Sequence, residues 1–229
     1  MKKVLTAALI CAASSFAAWD YFPVIEYGKG EAKVSFTQGR QGNSSAPGEE
    51  HDFKIRYSPI QNLELLSKLG YTFGARYQFV KVLSAGVDIG LPIPNTNWSF
   101  TPNAQFSMPL SDALVLGSNV GASFYTKEAN KNAPGTDLTA GAELDLIMGK
   151  SLVWLSSTLN TGLTNRKDSS GNKIKPKDDK RGLEIVPALG YVACLGNLSL
   201  GTNVALAFGK DHGHDNFNTL VGLDFSVKF

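Results

Sequence analysis

Apolar and polar residues alternate along most of this chain, and a period of two is typical of β-strands with one apolar face. On one face of segment 98–108 lie Trp98, Phe100, Pro102, Ala104, Phe106 and Met108. The other face of that segment holds only serine, threonine, asparagine and glutamine. Segments 72–80, 137–147 and 198–208 alternate in the same way, and no segment has a convincing helical period. The pattern predicts an all-β protein.

The alternating segments predict twelve strands, although only a tight bend near Gly70 divides the third from the fourth. The predicted strands cover residues 31–38, 52–58, 63–69, 72–80, 83–91, 98–108, 113–125, 137–147, 152–163, 183–193, 198–208 and 217–229. Many of them are longer than the usual strand of a globular protein. They match the length of about 9–11 residues that a tilted strand needs to cross a bilayer.

The connections between the predicted strands alternate between long and short, apart from the bend near Gly70. The long connections cover residues 39–51, 126–136, 164–182 and 209–216. Transmembrane barrels have short turns on one side of the membrane and long loops on the other. With twelve strands, both termini fall on the short-turn, periplasmic side. We therefore expect a transmembrane antiparallel up-and-down β-barrel of twelve strands.

A soluble exported β-sandwich would also have alternating strands, with their polar faces in water. Strand length and the presence of the pattern in every strand, including the last, favour the membrane barrel. So do aromatic residues near the strand ends, which resemble the two girdles of membrane barrels. They are Trp98, Phe124, Tyr125, Phe208 and Phe217 at one end, and Phe79, Phe106, Tyr191 and Phe229 at the other.

The chain begins with the features of a secretory signal peptide. Lys2 and Lys3 form a basic start, residues 4–13 are apolar, and small residues follow that allow cleavage after residue 17 or 18. We divide the chain into a signal peptide at 1–17, a periplasmic N-terminal segment at 18–30 and the barrel at 31–229.

Cleavage changes the chemistry of the exported chain. It removes Cys11, whose use as a lipidation site is disfavoured by the bulky Ile10 before it, so Cys194 has no partner for an intramolecular disulfide. It also removes Lys2 and Lys3, which leaves the mature chain formally neutral. A neutral chain has no basic balance that would indicate nucleic acid as a partner.

The last seven residues, LDFSVKF, have apolar side chains at alternate positions and end in phenylalanine. They resemble the terminal strand of bacterial outer-membrane proteins. The resemblance implies an outer-membrane location and recognition of Phe225, Val227 and Phe229 by the barrel-assembly machinery. Residues 57–92 are similar to the phenol-degradation (MetA-pathway) family of outer-membrane transporters, and the size and strand count resemble small twelve-stranded oligosaccharide and nucleoside channels. These resemblances imply a small channel and name no substrate.

If the apolar faces meet lipid, the residues between them line the lumen. The lumen residues expected to set selectivity are Arg56, Arg76, Asp88, Gln105, Asn119, Glu143, Asp145, Asp224 and Lys228. Both charge signs occur, whereas a channel for one ionic class carries a bias of sign at its constriction. Mixed charge favours passive transport of small neutral polar or zwitterionic solutes. The alternative is a polar network that fills the lumen, because twelve strands lie between filled and open barrels in size.

Two patterns allow other chemistry. Glu143 and Asp145 are two residues apart on one strand face, so their Cα atoms are expected to lie about 6.5–7 Å apart. A carboxylate pair near this separation is compatible with glycoside hydrolysis. Any polar strand face creates such pairs, however. His212 and His214 could bind a transition metal, but Gly213 between them favours a solvated turn. No ordered arrangement of histidine with serine or an acidic partner predicts hydrolysis. We expect neither an enzyme nor a cofactor.

The loop at 164–182 carries seven lysine and arginine residues against three aspartates. Outside the cell it would face anionic lipopolysaccharide, although a solvated loop without a partner explains it equally well. The alternative function is a structural or adhesive barrel that acts through its long loops. The expected partners are outer-membrane lipid and lipopolysaccharide, the barrel-assembly machinery and small solutes, and the protein itself is expected to be a monomer.

Overall fold

Twelve long strands build one barrel in the computed structural model, which describes residues 24–41, 47–69, 71–92, 98–126, 135–167, 172–175, 182–209 and 217–229. The barrel strands are β1 (Gly30–Gln41), β2 (Pro47–Ile60), β3 (Leu63–Lys68), β4 (Thr72–Val80), β5 (Leu83–Gly90), β6 (Ser99–Pro109), β7 (Leu114–Tyr125), β8 (Thr136–Met148), β9 (Ser151–Gly162), β12 (Glu184–Leu195), β13 (Leu198–Phe208) and β14 (Phe217–Lys228). Between β9 and β12, the short strands β10 (Arg166–Lys167) and β11 (Lys173–Ile174) pair with each other.

Each barrel strand pairs antiparallel with the strands next to it in sequence, and β1 pairs with β14 to close the sheet. The order around the barrel is β1, β14, β13, β12, β9, β8, β7, β6, β5, β4, β3, β2. The prediction of an all-β antiparallel up-and-down barrel with twelve strands is confirmed. Within the described ranges, no helix is long and apolar enough to cross a membrane.

The division between the third and fourth predicted strands is confirmed. β3 and β4 pair from Leu63 opposite Tyr77 to Lys68 opposite Thr72, so the chain reverses between them. Leu69 takes a left-handed φ of 52° in this bend, which is uncommon for a residue with a side chain. Its N–H donates to the carbonyl of Phe53 at 2.7 Å, and this hydrogen bond ties the bend to β2.

Strands β1 and β2 extend further than the alternation predicts. The sequence suggests a loop at 39–51, whereas β1 continues to Gln41 and β2 already begins at Pro47. Gly39 is opposite Gly48 in this added part of the ladder. The apolar pattern stops earlier than the ladder because ladder hydrogen bonds use backbone groups, which do not depend on apolar side chains.

The barrel has a short-turn end and a long-loop end, and β1 begins and β14 ends at the short-turn end. Asn62, Gly149 and Gly196 have positive φ values of 65°, 63° and 73° in the turns there, a backbone conformation that tight hairpin turns favour. The turns at this end lie at residues 61–62, 81–82, 110–113, 149–150 and 196–197.

The exterior carries a belt of exposed apolar side chains. In β14 the exposed fraction is 47% for Val221, 59% for Leu223 and 41% for Phe225, whereas Gly222 and Ser226 are buried. The same alternation exposes Phe36, Phe53, Phe73, Tyr77, Ile89, Phe100, Val120, Leu146, Leu155, Leu189, Leu200 and Val204. A continuous apolar surface of this size favours lipid over water. The barrel therefore spans a membrane.

Aromatic side chains lie near both ends of the belt. The exposed ones are Trp98, Phe124 and Phe208 toward the long-loop end, and Phe79, Tyr191 and Phe229 toward the short-turn end. Tyr125 corrects one detail of the predicted girdle. It follows the exposed Phe124 on the same strand and is half-buried, because successive side chains of a strand point to opposite faces.

The final residue completes the seam between β1 and β14. The N–H of Gly30 donates to the carbonyl of Phe229 at 2.8 Å, and the N–H of Phe229 donates to the carbonyl of Gly30 at 3.0 Å. The Phe229 ring lies so close to Gly30 that a Cβ at residue 30 would overlap it. The last strand pairs with the first along this seam, with Phe225 opposite Val34.

Candidate functional site in the barrel lumen

The side chains between the lipid-facing rows point into the lumen, and their burial differs between the two ends. Many of those toward the short-turn end are no more than 5% exposed. They include Glu31, Arg56, Ser58, Glu64, Leu66, Arg76, Ser84, Gln105, Ser107, Val115, Glu143, Asp145, Leu152, Val192, Ser199 and Ser226. Toward the long-loop end, lumen-facing residues such as Asn103, Thr139 and Asn160 are only half-buried. Side chains thus fill the lumen at the short-turn end, and solvent reaches it from the long-loop end.

Four charged residues on β1 to β4 form a buried network at the short-turn end. Nη2 and Nε of Arg56 donate to Oε2 of Glu31, at 2.7 and 3.2 Å. Nη1 of Arg56 lies 3.5 Å from Oε2 of Glu64, and Nη1 of Arg76 lies 3.5 Å from Oε1 of Glu64. All four side chains are at most 3% exposed. At this depth a charge that loses its partner is costly, so the network restrains the four strands together.

Strand register explains which charges meet. Glu31 on β1 is directly opposite Arg56 on β2, and Glu64 on β3 is directly opposite Arg76 on β4. Directly opposed residues of an antiparallel pair have Cβ atoms about 4.5–5.5 Å apart, which brings each carboxylate within reach of a guanidinium group. The contact between Arg56 and Glu64 joins the two pairs.

Residues 24–29 precede β1 and contact this network. Val24 and Ile25 are each only 8% exposed, and the backbone N–H of Ile25 donates to Oε2 of Glu64 at 3.2 Å. The segment then returns to the barrel wall. The N–H of Gly28 donates to the carbonyl of Ser58 at 2.9 Å, and the N–H of Ser58 donates to the carbonyl of Lys29 at 3.0 Å. Because Glu64 points into the lumen, Ile25 reaches it from inside the barrel mouth.

A pair of carboxyl groups lies on the opposite wall. β8 is six strands from β2 in either direction around the barrel, so Glu143 and Asp145 lie on the wall that faces Arg56. They are 1% and 0% exposed. The Asp145 carboxyl interacts with the Glu143 side chain, and neither of its oxygens accepts a hydrogen bond from any other residue in the described part of the chain. Two carboxylates buried side by side would repel each other, so this pair is an unusual arrangement within the lumen wall.

Ion pairs nearer the long-loop end are more exposed. Nζ of Lys33 lies 3.3 Å from Oδ2 of Asp224, with side chains 16% and 17% exposed. Nζ of Lys68 lies 3.6 Å from Oδ2 of Asp88, with side chains 26% and 11% exposed. Water weakens such pairs, so these side chains are held less firmly than those of the network around Glu64.

The two charge signs are unevenly distributed around the lumen. Strands β5 to β9, β12 and β13 contain no lysine or arginine. The contiguous strands β14 and β1 to β4 carry the lumen-facing cations of the barrel, which are Lys33, Lys54, Arg56, Lys68, Arg76 and Lys228. The other wall carries the acids Asp88, Asp137, Glu143, Asp145 and Glu184. A solute in the lumen is therefore exposed to an electric field directed across the pore.

The structure brings several of the predicted lumen residues together. Arg56 and Arg76 both contact Glu64, and Glu143 lies beside Asp145. Asp88 pairs with Lys68, and Asp224 pairs with Lys33. Gln105 accepts a hydrogen bond from Oγ of Ser84 at 3.0 Å, and it is opposite Asn119 in the ladder. Lys228 is opposite Glu31 at the seam. A role of these residues in selectivity stays a prediction.

Glu31 and Glu64 are central to the network but are not among the residues predicted to set selectivity. Strand parity could have found them, because Glu31 shares a face with Lys33, and Glu64 shares a face with Lys68. What the sequence lacked was a reason to rank them above the other polar residues of the lumen.

Nothing in the described part of the chain forms a metal centre of three or more histidine, cysteine, aspartate or glutamate residues. The weak metal candidates His212 and His214 lie outside the described residues, as does the predicted signal peptide. His51 lies on β2 and packs edge-on against Phe36, with ring centroids 5.3 Å apart. Cys194 is a free, half-buried cysteine.

The barrel resembles solved outer-membrane porins. The NanC porin aligns with a TM-score of 0.58 at 11% identity, covering 86% of this chain and 100% of the porin chain. The KdgM porin aligns with a TM-score of 0.46 at 14% identity, over 86% and 99% of the two chains. OprD from Pseudomonas aeruginosa aligns with a TM-score of 0.42 at 9% identity, over 92% and 99%. At this identity the NanC likeness shows the fold alone, and the other two are too distant to support an argument.

No family model matches the chain, and no curated protein matches it. The expectation of an outer-membrane β-barrel is confirmed at the level of fold, because the chain has the closed barrel of a porin with an apolar exterior. The similarity of residues 57–92 to the phenol-degradation family stays a prediction. Those residues form parts of β2 to β5 and contribute Arg76 and Asp88 to the lumen.

Proposed function

We propose that this protein is a monomeric outer-membrane channel for passive transport of small polar solutes, neutral or zwitterionic. The observation that carries the proposal is the separation of charge in the lumen. The lumen-facing lysine and arginine residues lie on β14 and β1 to β4, where Glu31, Glu64 and Asp224 pair with some of them, whereas the charged residues on the other barrel strands are all acids. A zwitterion can turn its ammonium group toward the acids and its carboxylate toward the cations, whereas an anion is repelled by one wall.

Two features support the proposed location in the outer membrane, namely the apolar exterior of the barrel and the sequence of its last strand. The apolar belt suits a bilayer, and the β14 residues Phe225, Val227 and Phe229 present the pattern that the barrel-assembly machinery is proposed to read. The likeness of 57–92 to phenol-degradation transporters supports a small channel in the same membrane. Lipopolysaccharide is the proposed neighbour of the basic loop at 164–182 outside the cell.

Swelling of proteoliposomes tests the solute class. Alanine, lactamide and lactate have nearly the same size but are zwitterionic, neutral and anionic. We expect alanine and lactamide to enter faster than lactate. The double variant Glu143→Gln, Asp145→Asn removes charge from the acid wall and should reduce the difference between alanine and lactate. Equal entry of lactate and alanine through the wild-type protein would contradict the proposed solute class.

The filled short-turn end favours a second candidate, a structural or adhesive barrel that acts through its long loops. This candidate predicts no swelling with any of the three solutes. It also predicts that deleting residues 164–182 abolishes surface binding without affecting solute uptake. The channel proposal instead predicts measurable swelling, and it predicts that the loop deletion does not abolish this swelling.

A further inference from the structure

We infer that residues 24–27, called here the N-terminal plug, close the short-turn end of the lumen by binding Glu64 from inside. The inference goes beyond the proposed transport function, because it concerns a contact of the chain with its own lumen. Two observations carry it. Val24 and Ile25 are 8% exposed although they precede the first strand, and the Ile25 N–H donates to Oε2 of Glu64.

The seat of the plug has both polar and apolar parts. Glu64 supplies the carboxylate, and Arg56 and Arg76 hold that carboxylate from two sides at 3.5 Å. The same end of the lumen carries the buried apolar side chains Leu66, Val115, Leu152 and Val192, each no more than 5% exposed. Apolar side chains in a water-filled pore are unfavourable, so a lumen end of this composition is suited to be covered by a short apolar segment such as Val24–Ile25.

The plug is joined to the barrel through a tight turn, in which the N–H of Lys29 donates to the carbonyl of Glu26 at 3.1 Å. Gly28 has a φ of 75°, a conformation that glycine adopts readily. Two backbone hydrogen bonds with Ser58 fix Gly28 and Lys29 to the barrel wall. Tyr27 is 67% exposed. The anchor at Gly28 and Lys29 can stay in place if the plug swings out by rotation at the exposed Tyr27. That motion breaks the hydrogen bond from the Lys29 N–H to the Glu26 carbonyl, but no strand pair.

Deletion of residues 20–27 tests the plug by conductance. The deletion keeps the predicted cleavage site and the Gly28–Ser58 anchor, so export and barrel closure are preserved. We expect the single-channel conductance in planar bilayers to rise several-fold. Ile25→Pro removes the N–H that Glu64 accepts and should raise the open probability, whereas the control Ile25→Val keeps that N–H and should behave like the wild type. A deletion variant that folds, as shown by heat-dependent gel mobility, and conducts like the wild type would overturn the inference.

Labelling of cysteines tests the plug without relying on transport. In a Cys194→Ser background, Ile25→Cys is expected to react with a bulky membrane-impermeant maleimide many-fold more slowly than Tyr27→Cys. Adding Glu64→Ala should accelerate the reaction at residue 25 but not at residue 27. Equal rates at residues 25 and 27 in the background protein would overturn the inference. If residue 25 is protected and no variant conducts, the plug stands and the proposed channel function fails, so the two failures are distinguishable.

Discussion

At the scale of single residues, Glu64 connects more of the lumen than any other side chain described above. Its carboxylate contacts Arg56 on β2, Arg76 on β4 and the backbone N–H of Ile25. A buried ion pair is a poor net source of stability. Removing one partner, however, leaves the other charge unpaired in a medium of low dielectric constant. Glu64 should therefore matter more for barrel stability than an exposed ion pair of similar geometry.

Replacement of Glu64 by alanine is expected to lower the free energy of unfolding by about 3–5 kcal/mol, because Arg56 and Arg76 lose a buried partner. Asp52→Asn is the matched control. Asp52 pairs with Lys54 at 2.8 Å, but the two side chains are 27% and 23% exposed, so its loss should cost less than about 1 kcal/mol. Urea unfolding from lipid vesicles, followed by tryptophan fluorescence, measures both. Similar small losses for the two variants would contradict the structural role of the network.

The residue-level prediction from sequence succeeds where the signal is local. Alternation along one strand is enough to place Arg56, Arg76 and Asp145 on the face opposite to the lipid. It does not reveal that Glu31 meets Arg56, since such partners depend on the register between strands, which the turns and the stagger of the barrel determine. It also does not reveal the contact of Val24 and Ile25 with the lumen, because two apolar residues in the segment expected in the periplasm have no period that would predict a partner.

At the scale of elements, β14 combines three roles in twelve residues. It pairs with β13 and β1, it contributes Val221, Leu223 and Phe225 to the lipid-facing belt, and it places Asp224 against Lys33 in the lumen. Because the two faces of a strand are offset by one residue, neighbouring positions in β14 should respond very differently to the same kind of substitution.

Phe225→Asp should impair barrel assembly far more than Asp224→Ser. The first change places a charge on the lipid face, where water is absent, and the second removes one member of a partly exposed ion pair. The folded fraction in the membrane, measured by heat-dependent gel mobility, compares them directly. If both variants assembled equally well, the assignment of inside and outside along β14 would be wrong.

Element boundaries show where sequence information ends. The alternation identifies all twelve barrel strands, but it shortens β1 and β2, which continue to Gln41 and from Pro47. In these added parts the apolar pattern of the sequence has ended, while the backbone ladder persists. The separation of β3 from β4 depends on the tight bend near Gly70, and only the resulting count of twelve strands puts both termini on the short-turn side.

At the scale of the whole molecule, the lumen combines a solvent-reached half with a filled half. Toward the long-loop end, polar residues and partly exposed ion pairs line the wall. Toward the short-turn end, the network around Glu64, the Glu143–Asp145 pair and the N-terminal plug occupy the space. The proposed transport therefore requires rearrangement at the short-turn end, and departure of the proposed plug is a rearrangement that leaves the strand pairing intact.

The central claim is that solutes pass through the lumen, and adjacent residues of β7 test it most directly. Asn119 is half-buried on the lumen face, and Val120 is 48% exposed on the lipid face. Each is replaced by cysteine in a Cys194→Ser protein that lacks residues 20–27, and single-channel conductance is recorded before and after a charged methanethiosulfonate reagent is added. Modification at residue 119 should reduce the conductance in a single large step, and the reagent should have no effect at residue 120. Unchanged conductance after confirmed modification at residue 119 would contradict a conduction path through the lumen.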